Sequence, residues 1–245
     1  MLTNEGRQFY DDNGYVLKKQ LTPFELTQQI NEEIENIHGR MAKQPIDGIG
    51  LSWEEFDDPG TPPRIKQLMH SELVSPTLNQ VLRSDAVLDI LEQLIGPDIS
   101  LYHSKLLPKD AKDGTEIPWH QDYAYWKQDG NRPLMVNCQL AIDAATKENG
   151  YLQVVPGSHK WGLQEHDRRQ QTFGVFLPGH YYERDDAVPV EMEPGDGVFF
   201  NALIIHGSAA NTSDIPRRMN TFAYNVTGNG VTQCREALRG KPLEQ

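Results

Sequence analysis

The chain has 245 residues, a formal net charge of −12 and 38% apolar residues. This length suits one large domain or two small ones, and one is preferred because barrels and sandwiches often reach it. No run of about 18 apolar residues exists to cross a membrane, and the acidic balance disfavours a nucleic-acid surface, which needs a concentrated basic face. The polar, acidic start MLTNEGRQFYDD excludes a secretory signal and argues against a mitochondrial one. Cys138 and Cys234 make neither a disulfide framework nor a zinc-ligand spacing, so both are read as reduced thiols in the cytoplasm. The pairs Arg168-Arg169 and Arg64-Lys66 are read as solvated surface.

The N-terminal third reads as helical. Thr22-Pro23-Phe24-Glu25 has the form of a capping box with proline at the first helical position. Leu26, Ile30, Ile34 and Ile37 then follow at helical spacing, and Gly39 suits a stop. A second helix is predicted from about Ser84 through Leu88, Leu91 and Ile95, ended by Gly96-Pro97. Its apolar stripe is expected to pack on a sheet. From Ile99 the pattern changes to short β-branched and aromatic runs: ISLYHSKLL, PLMVNCQLAI, YLQVV, VPVEM, GVFF, ALIIH and RRMNTFAYNV. Pro108, Gly114, Asn149-Gly150, Pro156-Gly157 and Pro194-Gly195-Asp196-Gly197 separate them as turns. Leading helices followed by many short strands predict a mainly β fold, a barrel or jelly roll with a helical buttress. Residues 44–63 and about 162–188 read as loops at the barrel mouth.

Three separated positions carry the chemistry. In His120-Gln121-Asp122 an extended backbone would turn residues i and i+2 to one face, so that the imidazole and the carboxylate reach one ion. Alone, this pattern also fits a hydrogen-bonded surface pair. His206 ends the apolar run LIIH, where a buried neutral histidine bonded to backbone is the competing reading. Two histidines and one carboxylate can hold one face of an octahedral ferrous ion and leave its other positions open. Arg217 follows the turn-rich AANTSDIP, where a hairpin would return the chain beside the His206 strand. A buried arginine needs an anionic partner, and a guanidinium grips a carboxylate through two parallel hydrogen bonds.

These segments resemble the phytanoyl-CoA dioxygenase family of iron- and 2-oxoglutarate-dependent oxygenases. The resemblance lies in LIGPDISLYHSKLLPK, WHQDYAYW, LAIDAATKENGYLQVVPGSHK, EPGDGVFF and HGSAANTSDIPRR, in the family's order, over about residues 84–226. It implies a double-stranded β-helix (jelly roll, cupin-like), with a helical N-terminal portion over about 1–97 and the core over about 98–230 of one domain. It implies that His120, Asp122 and His206 bind Fe(II) and that Arg217 pairs with the distal carboxylate of the co-substrate 2-oxoglutarate, with Arg218 as second choice. Ser208 and Gln139 fall where the family places further co-substrate contacts, beside structural readings as a turn hydroxyl and a barrel-lining amide. Lys105 lies on the strand leading to the iron motif and is expected to line the pocket. His159, in PGSHK, reads as loop-fixing rather than as a ligand. Asp122 also argues against halogenation, because related halogenases replace this carboxylate so that chloride can occupy its coordination position.

The implied reaction uses O2 and releases succinate and carbon dioxide while hydroxylating an unactivated C–H. Trp119, Tyr123, Tyr125 and Trp126 surround the iron motif and offer an aromatic wall, although barrel core accounts for at least half of such residues. The segment WHQDYAYWKQDG also resembles that of ectoine hydroxylases, but Ile117, Gln121, Lys127 and Gln128 depart from that pattern. The acidic balance disfavours phytanoyl-CoA itself. The expected substrate is a small metabolite, an amino-acid derivative or natural-product intermediate, with no nucleic acid or membrane as partner. Two other classes compete: a zinc-dependent hydrolase, which leaves Arg217 and the HGS segment unexplained, and a non-catalytic jelly-roll binding protein.

Overall fold

The computed structural model describes residues 1–41, 49–54, 60, 64–112, 114–169, 174–178, 186–230 and 236–242. Helix α1 (Asn4–Asn13), strand β1 (Tyr15–Lys18) and helix α2 (Phe24–Met41) open the chain. Strands β2 (Leu51–Trp53) and β3 (Ile65–Met69) and helices α3 (Pro76–Leu82) and α4 (Asp85–Ile95) follow. Next come β4 (Ile99–Lys109), β5 (Ile117–His120), the helical turn α5 (Tyr123–Trp126), β6 (Val136–Ala141) and β7 (Leu152–Val154). The remaining strands are β8 (Asp167–Arg169), β9 (Gly174–Phe176), β10 (Val188–Val190), β11 (Gly197–Asn201), β12 (His206–Ser208), β13 (Arg217–Val226) and β14 (Glu236–Arg239).

Eight strands form a large antiparallel sheet in the order β1-β11-β6-β13-β4-β3-β2, with β14 also paired to β4. A four-stranded sheet, β10-β7-β12-β5, faces it, and β8 pairs β9 separately. This is the double-stranded β-helix that the family resemblance implies, a jelly roll of the kind the strand pattern predicts. The helices cover the outer face of the large sheet. Ile30, Ile34 and Ile37 of α2 and Val87, Leu88, Ile90 and Leu91 of α4 join one core with Leu106 of β4, Val136, Cys138 and Leu140 of β6, and Phe222 of β13. Burying the four α4 side chains alone is worth roughly 6–12 kcal/mol of transfer free energy. The intervening residues of β6, Asn137 and Gln139, are buried on the opposite face, between the sheets. Alternation therefore separates an apolar helix-facing set from a polar inner set, and the inner set builds the site.

Most predicted elements are present. Helix α4 lies between Ser84 and Gly96, as its end signals indicate. Several features differ. Pro108 does not mark a turn but lies within β4, and the stretch read as a second loop contains β8 and β9. Gly39 does not stop α2, which runs to Met41. The run ALIIH is not a strand until His206. Ala202 to Ile205 form a buried turn, and their apolar character reflects burial rather than strand pairing. No hairpin joins β12 to β13. The chain crosses from the small sheet to the large one, where β13 pairs β4 and β6. Asn211 holds that crossing, its Nδ2 donating to Lys109 O, Asp110 O and Ile215 O at 3.1, 3.1 and 2.8 Å. Finally, β1, β2 and β3 show that the N-terminal third also supplies strands, which extend both edges of the large sheet.

The Pro194-Gly197 turn is welded to the N-terminal segment. Asp196 accepts from Lys19 Nζ, Gln20 N and Glu193 N at 2.8, 2.8 and 2.9 Å. Gly195 has φ +91°, and a Cβ there would lie 2.4 Å from Thr22 O, so only glycine fits. Most of the 44–63 stretch lies outside the described residues, as do 170–173 and 179–185 of the second loop and Cys234. No described helix is long and apolar enough to cross a membrane.

Candidate metal and co-substrate site

His120 ends β5 and pairs directly with His206 of β12, which puts their ring centroids 4.2 Å apart. Each ring is oriented from behind. His120 Nδ1 donates to Pro118 O at 2.7 Å and His206 Nδ1 to Ile204 O at 3.1 Å, leaving both Nε2 lone pairs facing inward. Asp122 does not continue the strand. Its backbone is helical (φ −57°, ψ −32°) at the start of α5. The expected i, i+2 alternation is therefore replaced by a strand-to-helix turn, which brings the carboxylate to the same point. Asp122 Oδ1 lies 3.6 Å from His120 Nε2 and Oδ2 lies 3.6 Å from His206 Nε2. Asn137 Nδ2 donates to Oδ2 at 2.6 Å.

One ligand atom from each of the three residues lies within 4.8 Å of the others. Two donors each about 2.1 Å from a shared ion are at most about 4.2 Å apart, so the 3.6 Å separations fit a common ion. The protonation states agree. Burial, and then His120, pushes His206 down to about 3, so its imidazole is neutral. Burial alone would raise Asp122, but the opposing influences, led by the Lys105 ammonium, outweigh it and hold the carboxyl well below its ordinary range. A neutral His206 imidazole and an ionised Asp122 carboxylate are forms that bind a divalent metal.

The triad borders a cavity of about 670 Å³ that reaches Arg217 at one end and Trp53, Lys66, His103, Tyr125 and Trp126 elsewhere. Arg217 is 1% exposed, and its Nε has no hydrogen-bond partner. Its Nη2 is 3.5 Å from Ser208 Oγ. Lys109 sits directly opposite Arg217 in the β4–β13 register. Its Nζ donates to Ser208 Oγ at 2.7 Å and Ser208 O at 3.2 Å, as well as to Ala209 O. Burial, and then the neighbouring guanidinium, pushes Lys109 down to about 6; burial likewise pushes Arg217 to about 10. A buried guanidinium thus meets a lysine that burial drives toward its neutral form, in a corner where the described residues form no ion pair with either. Such a corner is costly unless an anion enters.

The other predicted positions separate by strand face. Ser208 lies in this corner, and Gln139 lines the cavity, donating to Thr221 Oγ1 at 3.0 Å while its Oε1 is unpartnered. Lys105 also lines the cavity, away from this corner, its Nζ 3.6 Å from Asp122 Oδ1. It is four residues from Lys109, about 13 Å along the strand. Arg218 faces the helices, where it donates to Asp143 at 2.7 and 3.0 Å and to Glu35 at 2.9 Å. Tyr125 and Trp126 reach the cavity, whereas Tyr123 and Trp119 pack in neighbouring clusters. His159 packs against Gly14 and lies 3.3 Å from Asp11 O, away from the triad. Arg64 makes a 3.5 Å surface pair with Asp110, while Lys66 lines the cavity rather than the surface. Lys109, Asn137 and Thr221 were not singled out from sequence. The parity of β4 carries a signal for Lys109, which shares the inward set with Lys105.

The family model for phytanoyl-CoA dioxygenase (PhyH) matches residues 10–219. The chain belongs to the phytanoyl-CoA dioxygenase family. This makes the protein an iron- and 2-oxoglutarate-dependent dioxygenase. It is 31% identical over 241 residues to a probable phytanoyl-CoA dioxygenase of Caenorhabditis elegans, covering 91% of this chain and 75% of that one. It is 32% identical to the human peroxisomal phytanoyl-CoA dioxygenase, with 86% of this chain and 64% of the human protein covered. An ectoine dioxygenase of Bordetella parapertussis is 25% identical over 96% of this chain and 79% of its own length. Among solved structures, EctD from S. alaskensis superposes with a TM-score of 0.77 at 23% identity, covering all of this chain and 86% of that one. That likeness supports the same fold.

Proposed function

We propose that this family member, acting as one domain over residues 1–245, hydroxylates an unactivated C–H of a small polar metabolite in the cytoplasm. In this reading His120, Asp122 and His206 hold the ferrous ion. Arg217, with Ser208 and Lys109, takes the distal carboxylate of 2-oxoglutarate, and Gln139 and Thr221 line its path. Bound there, iron and 2-oxoglutarate supply the oxidation, in which O2 gives one oxygen atom to succinate as carbon dioxide leaves and the other to the substrate. The single observation that carries the reading is the pairing of a three-ligand cluster with a buried, unneutralised guanidinium in one cavity.

The residues of the chain position and exclude. Arg217 and Lys109 fix one end of the ketoacid electrostatically, and the Nδ1–carbonyl bonds keep both imidazoles aimed at the ion. Asn137 holds the carboxylate. Tyr125 and Trp126 offer flat apolar walls, while Lys66, His103 and Lys105 offer polar ones. Room for a co-substrate and a small polar molecule fits a cavity of about 670 Å³, within the ordinary range for small-molecule sites. The substrate class named here, an amino-acid derivative or natural-product intermediate, rests on this mixed lining. It also draws on the ectoine dioxygenase relative and on an L-proline trans-4-hydroxylase of Streptomyces griseoviridis, 32% identical over 61% of this chain and 63% of its own length.

Anaerobic addition of ferrous iron and 2-oxoglutarate is expected to produce a weak visible charge-transfer band that His120→Ala and His206→Ala abolish. Wild-type protein with no band and no succinate formed in air would overturn the reading in favour of zinc hydrolysis or simple binding. Succinate formation stimulated by candidate metabolites, with product mass raised by one oxygen, then identifies the substrate.

A further inference from the structure

Gln121 stands between two of the metal-binding side chains and points away from both. Strand β5 ends at His120 and the chain turns into α5, which directs the Gln121 side chain behind the site, where it is fully buried. Three backbone groups from two other segments meet it there. Its Nε2 donates to Leu203 O at 2.6 Å and to Gly162 O at 3.0 Å, and its Oε1 accepts from Gln164 N at 2.7 Å. Its backbone N–H donates to His166 Nε2 at 3.0 Å, and His166 Nδ1 donates to Gln164 O at 2.9 Å.

Leu203 lies three residues before His206, in the turn that delivers the second imidazole. A parallel bond, Tyr123 N to Ala202 O at 2.9 Å, ties the same two stretches. The loop that grips Gln121 is itself attached further along: Val175 N donates to Tyr125 Oη at 3.0 Å and Leu177 N to Trp119 O at 2.7 Å. One carboxamide therefore joins the segments bearing His120 and His206, which lie far apart in sequence, and the 162–166 backbone braces it. Hydrogen bonds of this kind are directional and of fixed length, so they set a separation in a way that apolar filling does not.

We infer that Gln121, braced by Gly162, Gln164 and His166, is a positioning residue that works with the direct β5–β12 pairing to set the separation of the His120 and His206 imidazoles and thereby the affinity for the metal. The inference rests on the reading of His120, Asp122 and His206 as the ligands.

The test uses full-length protein and four variants. Gln121→Met keeps the length of the side chain and removes every polar bond. His166→Leu removes the acceptor for the Gln121 N–H, His166→Gln retains one, and His120→Ala is the control for the ligand set. Ferrous affinity is titrated anaerobically, and unfolding of the metal-free proteins is followed alongside. Gln121→Met and His166→Leu are expected to bind ferrous ion about tenfold more weakly or worse. His166→Gln should recover most of the loss, and the metal-free unfolding midpoint of His166→Leu should stay near wild type. If Gln121→Met does not fold, the His166 pair decides by the same criterion. Wild-type affinity in both Gln121→Met and His166→Leu, with binding lost in His120→Ala, would make the amide a core filler and overturn the inference alone. Wild-type affinity in His120→Ala would overturn the ligand reading, and the inference with it.

Discussion

Replacing Arg217 by methionine should move stability and co-substrate binding in different ways. The guanidinium is 1% exposed; among the described residues its Nε has no hydrogen-bond partner and its side-chain hydrogen bond, to Ser208 Oγ, is long at 3.5 Å. It faces a second buried basic side chain, Lys109, across the β4–β13 register. Burial pushes Arg217 down to about 10, so the fold resists its charge. Exchanging an uncompensated buried charge for an apolar side chain of similar length leaves metal-free stability unchanged or raises it. Co-substrate binding should respond oppositely. Truncating one partner of a buried, hydrogen-bonded charge pair costs about 2–5 kcal/mol, or about 30-fold to several thousand-fold in affinity. Urea unfolding of metal-free protein measures the first effect, and titration of the anaerobic ferrous protein with 2-oxoglutarate measures the second. A variant that loses more than about 2 kcal/mol of stability yet binds 2-oxoglutarate within about threefold of wild type (under 1 kcal/mol) would show Arg217 to be structural.

Three further outcomes follow from the same geometry. Lys109 falls from an ordinary value of 10.5 to about 6 in the folded chain, so between these values the unfolded chain holds more protons and stability rises with pH. Lys109→Met should remove that rise in unfolding measured from pH 6.5 to 9 (about the interval between the two values), and 2-oxoglutarate affinity of wild type should fall over the same range because the anion favours the charged lysine. An unchanged pH slope in the variant would refute this assignment. Arg218→Ala cuts the bonds to Asp143 and Glu35 on the helix side and should lower stability by about 1–3 kcal/mol while sparing the titration with 2-oxoglutarate. A large loss of binding would place the anchor at the wrong residue. Gly195→Ala forces a Cβ to 2.4 Å from Thr22 O at φ +91°. It should destabilise by more than about 1 kcal/mol in denaturant, and a wild-type midpoint would contradict the turn geometry.

Much of the architecture could be read from local pattern. The α4 boundaries follow from Ser84 and Gly96-Pro97, and the β13 boundaries coincide with the run RRMNTFAYNV, because capping, turn chemistry and alternation act within a few residues. The run ALIIH misled because an apolar stretch buried as a turn has the same composition as one buried as a strand. The short strands β2 and β3 were obscured for a different reason. β3 is held by pairing to β4, more than 30 residues further along, and β2 by pairing to β3, and neither by its own propensity.

The residue types and order of the candidate metal cluster were present in the chain itself: two histidines, a carboxylate and a downstream arginine, embedded in the motifs of the family. Their convergence was not. Asp122 reaches the site by leaving the strand, Arg217 reaches Ser208 by crossing between sheets, and Lys109 joins them only because β4 lies beside β13. Local sequence determines which groups are available and which backbone each prefers over a few residues. Register and sheet-to-sheet packing depend on contacts between segments separated by a hundred residues, and those long-range contacts decide which groups share a cavity, which cation is left without an anion, and which backbone groups the buried Gln121 carboxamide reaches.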